Sequence, residues 1–436
     1  MNDKTNNRTA YLFDPKSPLV FRTGRPFDQA GDPVSQDFPL PSTLAGACRT
    51  AIGDADNMDF SKDGHTLKNI PVHGPLAAQI SEDGKTQPLF PKPADAVYMR
   101  QDNDDKKKKK EKNTLEDKVT TNILQLRPQL DLVDQDTWSD LPETLTPVGL
   151  PAEEQVAGKP YKKGANWWTE ENFVAWLLGN GELKIAPEKL GWSGPQQELR
   201  THVQLESSTL SAATGQLFQT NNLSFSPKQL TTEDGKKGDR EGGWTKEQYG
   251  LLAHLPEDNL KDTPELYRRI GGEGRIARVE RQPKGWPEIP EKLATKLTDS
   301  KDDEEILGIR LILATPALFT QGWRPDWIKE TSEGLVGSPP CLPEIELHLK
   351  AFVTPRWQPV SGWDLVRNPQ SGEKQEKGGP GCARAVRRMV PAGAVYWFEV
   401  RAGHEQLPEL WLQPISDLPQ DRNDGYGLVL PGIWKK

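Results

Sequence analysis

Cysteine is scarce in this sequence, and the few cysteines present form no recognisable pattern. The chain of 436 residues contains three of them, Cys48, Cys341 and Cys382, and no two form a C-x-x-C pair. This spacing indicates neither a disulfide framework nor a zinc ribbon. We therefore expect a reducing, cytoplasmic compartment and no bound metal.

Long apolar runs and a net basic charge are also missing. No stretch approaches the roughly 18 consecutive apolar residues of a membrane span, and the polar N-terminus lacks the apolar core of a signal peptide. The formal net charge is −8, which argues against binding nucleic acid through overall charge but leaves room for a local basic patch. We expect a soluble protein that has no membrane partner.

Familiar catalytic motifs are absent as well. The stretch "DGKT" at Asp83 lacks the preceding glycine of a P-loop, and "DADNMD" (Asp54 to Asp59) lacks the glycine and distal glutamate of a calcium loop. No H-E-x-x-H or G-x-S-x-G motif occurs. The sequence therefore predicts no cofactor and no catalytic residue.

What the sequence does contain is a repeated loop pattern. The stretches "SPLVFRTGRPF" (Ser17 to Phe27) and "TPALFTQGWRP" (Thr315 to Pro325) share Ser/Thr-Pro, a phenylalanine, a glycine and Arg-Pro. Each follows a predicted strand, "TAYLFDP" or "ILGIRLIL". The simplest account is two α+β domains descended from one unit.

The predicted domain limits follow from composition. The first domain spans 1–285 and contains a charged loop near 101–113. The loop has almost no apolar residues, which indicates a solvated insertion, although its lysines could also bind phosphates. A polar, proline-bearing linker occupies 286–304. The second domain spans 305–436.

Several segments have clear local patterns. A helix is predicted in "STLAGACRTAIG", capped by Ser42 and stopped by Gly53, and another in "TEENFVAWLLGNG", capped by Thr169. The stretches "ELRTHVQLE", "GQLFQTNNLSF", "GRIARVE" and "AVYWFEV" are typical of strands. The stretch "TKEQYGLLAHL" has a helical pattern.

Positive charge is concentrated between Leu266 and Gly285. Two acidic residues (Glu273, Glu280) oppose six basic ones, which leaves +4 on this stretch: Arg268, Arg269, Arg275, Arg278, Arg281 and Lys284. The glycines of "RIGGEGR" can expose backbone N–H groups to a phosphate, and arginines supply charge and planar stacking surfaces. The competing interpretation is an ordinary glycine turn flanked by solvated arginines.

Three further features could bind an anion or a base. Arg384, Arg387 and Arg388 precede a predicted strand, and the turn Gly425 to Gly427 carries Tyr426, which could stack on a base or simply pack. Arg200 and His202 share one strand face. His202 could be a general base, an RNA contact without chemistry, or a structural histidine.

Taken in order, seven motifs resemble the RAMP superfamily of CRISPR-associated proteins, in particular the third subunits of type III-B (Cmr) effector complexes. They are "FRTGRPF", "PLPSTLAGACRTAIG", "RTHVQLESSTLSAATGQLF", "RRIGGEGRIARV", "TPALFTQGW", "RMVPAGAVYWF" and "GYGLVLPGIW". The resemblance implies two tandem ferredoxin-like (RRM-like) domains with loop insertions. It also implies a non-catalytic role in antiviral defence: holding the 5′ repeat-derived handle of the guide RNA (crRNA) and docking the large polymerase-like subunit, beside other RAMP subunits.

The resemblance also implies a set of RNA-binding residues. They are Arg22, Arg25, Arg49, Arg200, His202, Gly271, Gly272, Arg275, Gly425, Tyr426 and Gly427. Because Trp323 replaces an arginine in the second loop, we expect that loop to face protein more than RNA. Two alternatives stay open: a guide-RNA-processing endoribonuclease that uses His202, and a structural subunit whose basic patches dock acidic protein surfaces.

Overall fold

The computed structural model describes the chain in segments that cover most of its length. They are residues 9–21, 36–101, 121–130, 141–142, 144–151, 158–161, 164–179, 183, 185–225, 247–256, 260, 266–364 and 382–436. Two predictions fall outside these segments: the loop after Phe21 that contains Arg22 and Arg25, and the charged insertion after Gln101.

Antiparallel strands make up most of the described structure. In chain order they are β1 (Ala10–Pro15), β2 (Leu19–Val20), β3 (His73–Ile80), β4 (Thr86–Pro91), β5 (Ala96–Gln101), β6 (Thr121–Gln125), β7 (Arg127–Pro128), β8 (Val148–Gly149), β9 (Gly158–Pro160), β10 (Trp167–Thr169), β11 (Gly191–Trp192), β12 (Gln196–Leu205), β13 (Ala212–Ser224), β14 (Gln248–His254), β15 (Leu266–Arg269), β16 (Ile276–Gln282), β17 (Ile306–Leu313), β18 (Ile328–Thr331), β19 (Gly334–Gly337), β20 (Glu346–Val353), β21 (Gln358–Val360), β22 (Trp363–Asp364), β23 (Cys382–Ala383), β24 (Arg387–Met389), β25 (Val395–Ala402) and β26 (Val429–Lys435).

Helices are fewer and short. The α-helices are α1 (Pro41–Ala55), α2 (Phe60–Leu67), α3 (Glu170–Leu177), α4 (Glu291–Thr298) and α5 (Pro419–Asn423), and 3₁₀ turns span Pro187–Lys189, Asp299–Lys301 and His404–Leu410. The predicted α+β class is confirmed at this level. Within the described residues, no helix is both long and apolar enough to cross a membrane.

The first half of the chain builds an eight-stranded sheet in the order β11-β10-β4-β3-β14-β1-β16-β15. The predicted strand "TAYLFDP" forms β1, every residue of which is buried. Its side chains alternate between two apolar clusters: Leu12 belongs to one, whereas Tyr11 and Phe13 belong to the other. The centre of this sheet is therefore covered on both faces.

The helical prediction for "TKEQYGLLAHL" is wrong, because its second part forms strand β14. This strand pairs with β1 on one side and β3 on the other, antiparallel to both. A strand covered on both faces has no polar side, so its sequence is a continuous apolar run without period-two alternation. Such a run cannot be told from a buried helix by periodicity alone.

Helix α1 covers one face of this sheet, but its ends differ from the prediction. Pro41 occupies the first turn, and Ser42 makes no capping bond: its hydroxyl lies 3.0 Å from that of Tyr426. Gly53 does not stop the helix, which continues to Ala55. The predicted buried face is confirmed, since Leu44, Cys48, Ala51 and Ile52 are all buried.

The second half builds a six-stranded sheet in the order β18-β19-β20-β25-β17-β26. The predicted strands "ILGIRLIL" and "AVYWFEV" form its central pair, β17 and β25. Four strands of each sheet then follow one pattern, β16-β1-β14-β3 in the first and β26-β17-β25-β20 in the second. Numbered along the chain within each set, both orders read 4-1-3-2, and all neighbours are antiparallel.

The segment predicted as a linker, 286–304, contains helix α4 and belongs to the core. Leu293 and Leu297 of this helix have no exposed surface. Just before it, the ring of Trp286 stacks on His254 of β14, with centroids 5.1 Å apart. The eight-residue helix lies between proline-rich and charged stretches, which is why composition alone indicated a linker.

A buried ion pair joins the two halves. The guanidinium of Arg310 in β17 contacts the carboxylate of Asp95, and the two side chains are 1% and 0% exposed. Arg310 also donates to the carbonyl oxygens of Ile433 and Trp176, and the indole of Trp176 donates to Asp95. Every charged group of this cluster is thus hydrogen-bonded, as a buried ion pair requires.

The predicted strands "ELRTHVQLE" and "GQLFQTNNLSF" are confirmed as β12 and β13, which pair as a hairpin and extend onto β2. One face of the hairpin exposes apolar side chains: Leu199 is 65% exposed and Leu217 is 63% exposed. Because neighbours alternate along a strand, Arg200 and His202 lie on the opposite face. That face approaches the glycine-rich turn between β15 and β16, as the contact of His202 with Glu273 shows.

Candidate nucleic-acid interface

A cleft of about 880 Å³ lies between α1 and β15 in the first half of the chain, and we call it the α1 groove. Its third side is the turn from Gly271 to Gly274, called here the glycine loop. The lining residues are Val20, Phe21, Gln36, Leu40, Ser42, Thr43, Gly46, Ala47, Thr50, Asp54, Tyr267, Arg268, Arg269, Ile270, Gly271, Gly272 and Glu273.

The glycine loop is held by its own backbone and by the loop after β1. Gly271 has φ +76°, and a Cβ at that position would lie 2.5 Å from the carbonyl oxygen of Val20, so only glycine fits. The N–H of Gly272 donates to that same oxygen at 2.8 Å, and Ile270 N–H donates to Arg275 at 2.9 Å. The loop is therefore a fixed part of the groove wall.

Small side chains line the helical wall of the groove. Thr43, Gly46 and Thr50 lie on the solvent side of α1, and a Cβ at Gly46 would have no heavy atom within 4 Å. An extended ligand can therefore come close to the helix, where two threonine hydroxyls offer hydrogen bonds.

The opposite wall presents an aromatic ring and arginines. Tyr267 is 62% exposed, and Arg269 is exposed and makes no ion pair with the described residues. Arg268 donates to Asp54 across the groove at 3.0 Å. A phenol ring beside unpaired guanidinium charge is a surface that can stack on bases and contact phosphates.

Two arginines of the groove have a donor that lacks an acceptor. The Nε atoms of Arg268 and Arg275 are shielded from solvent and have no hydrogen-bond partner among the described residues. The other end of Arg275 donates to Glu273 at 2.9 Å. Buried donors without acceptors are rare in folded proteins, and a phosphate in the groove could accept from them if the two side chains rotate toward it.

The structure brings four of the predicted residues together at this site. His202 Nε2 lies 2.8 Å from Thr220 Oγ1 and 3.8 Å from a carboxylate oxygen of Glu273. Glu273 in turn holds Arg275, so the hairpin and the glycine loop are connected. The four residues are His202, Gly271, Gly272 and Arg275. Arg200 shares the face of His202 but pairs with Glu198 at 2.8 Å.

Arg49 lies elsewhere, on the inner side of α1. It is 8% exposed and donates to the carboxylate of Asp424 and to the backbone oxygens of Ile70 and Asn423. A guanidinium that is neutralised by a carboxylate and donates to two backbone oxygens is not available to bind a phosphate. This burial assigns Arg49 to the contact between the two halves and argues against the predicted RNA contact.

The turn Gly425 to Gly427 is also internal. Tyr426 is 2% exposed, and its hydroxyl meets Ser42 beneath the groove. A Cβ at Gly425 would lie 2.6 Å from the carbonyl oxygen of Val72. The packing interpretation of Tyr426 is therefore the one that the structure favours, and base stacking would require its ring to leave the core.

The loops that repeat each other in sequence have matching contacts. In the first half Gly272 N–H donates to Val20, and in the second half Gly427 N–H donates to Pro316, both at 2.8 Å. Each glycine turn thus rests on the loop that follows the first strand of its own sheet. The chain passes directly from Phe21 at the glycine loop into the segment with Arg22 and Arg25, which lies outside the described residues.

Trp323 is half-buried and packs against its own sheet. Its ring stacks on Phe352 with centroids 4.2 Å apart and planes 3° apart, and its carbonyl accepts a hydrogen bond from Tyr396. The preference of this loop for protein over RNA stays a prediction. The arginine found in the first loop is replaced here by a side chain that anchors the second sheet.

Sequence reasoning missed part of the groove. Arg269 lies in the predicted basic stretch but outside the predicted RNA-binding set, and Tyr267 and the α1 threonines also lie outside that set. A signal existed for the first two, because "LYRR" puts Tyr267 and Arg269 on one face of a strand. No sequence signal pairs that strand with α1, more than two hundred residues earlier.

His73, His254 and Cys48 are buried outside the groove. Burial and the neighbouring His254 lower the pKa of His73 to about 3, and burial raises the pKa of Cys48 to about 12. The rings of His73 and His254 face each other, 5.8 Å apart, within the sheet. Among the described residues, no cluster of three His, Cys, Asp or Glu side chains is arranged to hold a metal ion.

Comparison with known proteins gives one family and several distant structures. The family model "CRISPR-associated protein (Cas_Cmr3)" matches residues 11–434. No curated protein matches. A chain of a type III-B Cmr-β complex bound to cognate target RNA matches at 14% identity and TM-score 0.39, covering 98% of this chain and 99% of that one.

Two further structures are similar at the same level. One is a chain of Cmr-β bound to cognate target RNA and AMPPnP, at 12% identity and TM-score 0.39, covering 89% of this chain and 86% of that one. The other is a chain of a Csm3–Csm4 subcomplex of a type III-A CRISPR-Cas interference complex, at 10% identity and TM-score 0.35, covering 98% and 100%.

Proposed function

Since the chain belongs to the Cas_Cmr3 family of CRISPR-associated proteins, we propose that it holds the 5′ repeat-derived handle of a guide RNA (crRNA) in the α1 groove. The observation that carries the proposal is the groove itself. Its edge strand carries Tyr267 and Arg269, and its glycine loop lies beside two arginine Nε donors that lack acceptors. Single-stranded RNA offers both of the partners that such a wall lacks, bases for stacking and phosphate oxygens for hydrogen bonding.

The fold supports a finer assignment, two tandem ferredoxin-like domains. The 4-1-3-2 order of antiparallel strands occurs in both sheets, and α1 connects the first two strands of the first set. The glycine turn before the last strand of each set makes the same type of contact with the loop after the first strand. The insertions, including the β12–β13 hairpin, lie between these shared strands.

The partners follow from the family. We expect the chain to act in the cytoplasm as the third subunit of a type III-B Cmr complex, with the guide RNA, the large polymerase-like subunit and other RAMP subunits as partners. In this proposal the residues of the α1 groove bind the guide RNA, and surfaces outside the groove contact the other subunits. Because the net charge of the chain is −8, RNA binding would depend on individual arginines at the groove and not on the charge of the whole chain.

The proposed role is non-catalytic. His202 has Thr220 and Glu273 close by, and the glutamate already pairs with Arg275. Cleavage by general acid–base chemistry usually needs a second group that donates a proton to the leaving oxygen. His73 and His254 are buried in the sheet, where their rings contact each other and His254 hydrogen-bonds to the carbonyl oxygen of Thr9. The proposal therefore gives His202 a positioning role on the hairpin.

Binding measurements on groove variants test the first part of the proposal. We expect Arg269→Ala to weaken single-stranded RNA binding and to lower the slope of log K against log salt by roughly 0.7, because one phosphate contact is lost. Arg269→Lys keeps most of the slope. Lys329→Ala is the charge-matched control, since this exposed lysine pairs with Asp326 on the far edge of the second sheet. Equal losses in the Arg269 and Lys329 variants would mean that RNA does not use the groove.

A cleavage assay tests the second part. Purified chain is incubated with repeat-containing RNA and with guide-length RNA, with and without divalent metal. We expect intact RNA in every case and reduced binding for His202→Ala. Specific cleavage products that disappear in His202→Ala would replace the scaffold role with the endoribonuclease alternative.

A further inference from the structure

A second basic surface lies on the other half of the chain, around the two-stranded sheet formed by β21 and β24. The guanidinium carbon of Arg388 lies 5.3 Å from the centroid of the Trp357 ring. The indole is 48% exposed, and Arg388 is exposed as well. We call this surface, with the neighbouring Arg356 and Arg384, the arginine–tryptophan patch.

The patch carries positive charge that the described residues do not neutralise. Residues 354–360 and 384–390 contain four arginines and no aspartate or glutamate. Arg387 forms a bidentate salt bridge with Asp421, in which its two terminal guanidinium nitrogens donate to the two carboxylate oxygens at 2.7 and 2.8 Å. The other three, Arg356, Arg384 and Arg388, make no ion pair within the part of the chain that the structure describes.

One arginine of the patch also has an unused donor. The Nε atom of Arg384 is shielded from solvent and has no acceptor among the described residues. The other arginine Nε atoms with this property are those of Arg268 and Arg275 at the α1 groove. Within the described residues, the shielded arginine Nε atoms that lack an acceptor therefore lie at two surfaces, one on each half of the chain.

A cavity of about 560 Å³ adjoins the patch. It is lined by the second repeat loop, from Leu318 to Gly322, and by Arg387, Arg388, Leu418 and Asp421. The α1 groove is likewise lined by the loop after β1, through Val20 and Phe21. Each half thus has a cavity at the loop that follows the first strand of its main sheet.

We propose that the arginine–tryptophan patch is a second binding site for single-stranded RNA, in which a base stacks on Trp357 and the arginines contact adjacent phosphates. The proposal extends the proposed function, since the same chain would hold RNA at the α1 groove. An exposed tryptophan beside unpaired arginines supplies both kinds of contact that single-strand binders use. Tryptophan and arginine are also enriched at protein interfaces. Here Arg388 lies over the indole ring, and Arg356 and Arg388 have no carboxylate partner among the described residues, so the net positive charge favours a polyanion.

The two kinds of contact respond differently to salt, which gives each residue its own signature. Trp357→Ala is expected to weaken binding about 10-fold with an unchanged salt slope, because stacking releases no counterions. Trp357→Phe restores most of the affinity. Arg388→Ala lowers the slope by roughly 0.7, and Arg388→Lys keeps it.

The test uses the full chain and a single-stranded RNA of mixed sequence that carries 4-thiouridine, in filter binding across a salt series and in photo-crosslinking. Support requires the two signatures above and crosslinks to the segment 354–360 that are lost in Trp357→Ala. Lys329→Ala is the control for nonspecific loss of charge, and thermal melts confirm that each variant is folded.

Other outcomes overturn the proposal and separate it from the proposed function. If Arg269→Ala weakens binding and the patch variants do not, the α1 groove stands and the second site falls. If the patch variants bind RNA normally but fail to co-purify with other subunits of the complex, the surface is a protein docking site. If the chain binds no RNA, both sites fall.

Discussion

Arg49 and Asp424, 375 residues apart in the sequence, form an ion pair in the contact between the two halves of the chain. Arg49 extends from the inner side of α1, and Asp424 immediately precedes the buried turn Gly425 to Gly427. The same guanidinium also donates to the carbonyl oxygens of Ile70 and Asn423. One arginine thus fixes the position of the helix that forms a wall of the α1 groove.

We expect Arg49→Ala to lower the free energy of unfolding by about 3 kcal/mol, because Asp424 would be left buried without its cation. RNA binding per folded molecule should change little, since Arg49 does not reach the groove. Chemical denaturation and filter binding check the two effects. A variant of normal stability that binds RNA poorly would return Arg49 to the RNA site.

Arg310 and Asp95 permit a double-mutant test of the second ion pair between the halves. Arg310→Met should cost about 3 to 5 kcal/mol, because it leaves the charge of Asp95 uncompensated in the core. In Arg310→Met/Asp95→Asn no charge remains and the asparagine can still accept from Trp176. We therefore expect the double variant to unfold at a higher denaturant concentration than the single one, and simple additivity would contradict this.

The glycine loop offers a matched series of alanine substitutions. Gly271→Ala should be destabilising, because it combines φ +76° with a contact of 2.5 Å to the backbone oxygen of Val20. Gly274→Ala carries only the conformational cost, about 1 to 2 kcal/mol, since its φ is +65° but the space around it is open. Thermal melts of the two variants should rank in this order.

Gly272→Ala separates folding from RNA binding. Its φ is not in the left-handed region, and the nearest atom to a new Cβ is 3.6 Å away. We expect an unchanged melting temperature and weaker RNA binding, because the methyl group would stand in the groove wall. Wild-type affinity for RNA would show that the ligand keeps away from the glycine loop.

Arg22 and Arg25 follow the loop that supports the glycine loop. We expect the double variant Arg22→Ala/Arg25→Ala to retain less guide RNA in the assembled complex, with a salt slope lower by roughly 1.4 if both contact phosphates of a single strand. Filter binding across a salt series measures this. An unchanged slope and affinity would remove both arginines from the site.

Stability should fall in mild acid because of His73. Burial lowers its pKa from 6.5 to about 3 in the folded chain, so below pH 6.5 the unfolded chain binds a proton that the folded chain does not. By linkage, the unfolding free energy then decreases by up to about 1.4 kcal/mol per pH unit, until the pH nears 3. His73→Gln should show a flatter pH profile in denaturant titrations than the wild type between pH 6.5 and 4, and an equal slope would contradict the assignment.

Local patterns predicted several of the individual elements. The strands β1, β12, β13, β16, β17 and β25, the buried face of α1 and the α+β class follow from alternation, helical spacing and turn residues. Prediction failed where local pattern and tertiary environment disagree. The apolar run of β14 predicts a helix because both faces of this strand are covered, and the composition around α4 predicts a linker because its two buried leucines are surrounded by polar residues.

Motifs in a fixed order were enough to indicate the family and to locate the basic stretch that contains the glycine loop. Which of the motif side chains are exposed on the surface depends on tertiary contacts. The residue type at a motif position does not show whether its side chain faces solvent or the other half of the chain. Arg49 and Tyr426 are buried and form long-range hydrogen bonds with Asp424 and Ser42, respectively. Arg269 is exposed because it lies on an edge strand. Such contacts join residues hundreds of positions apart, and no local pattern encodes them.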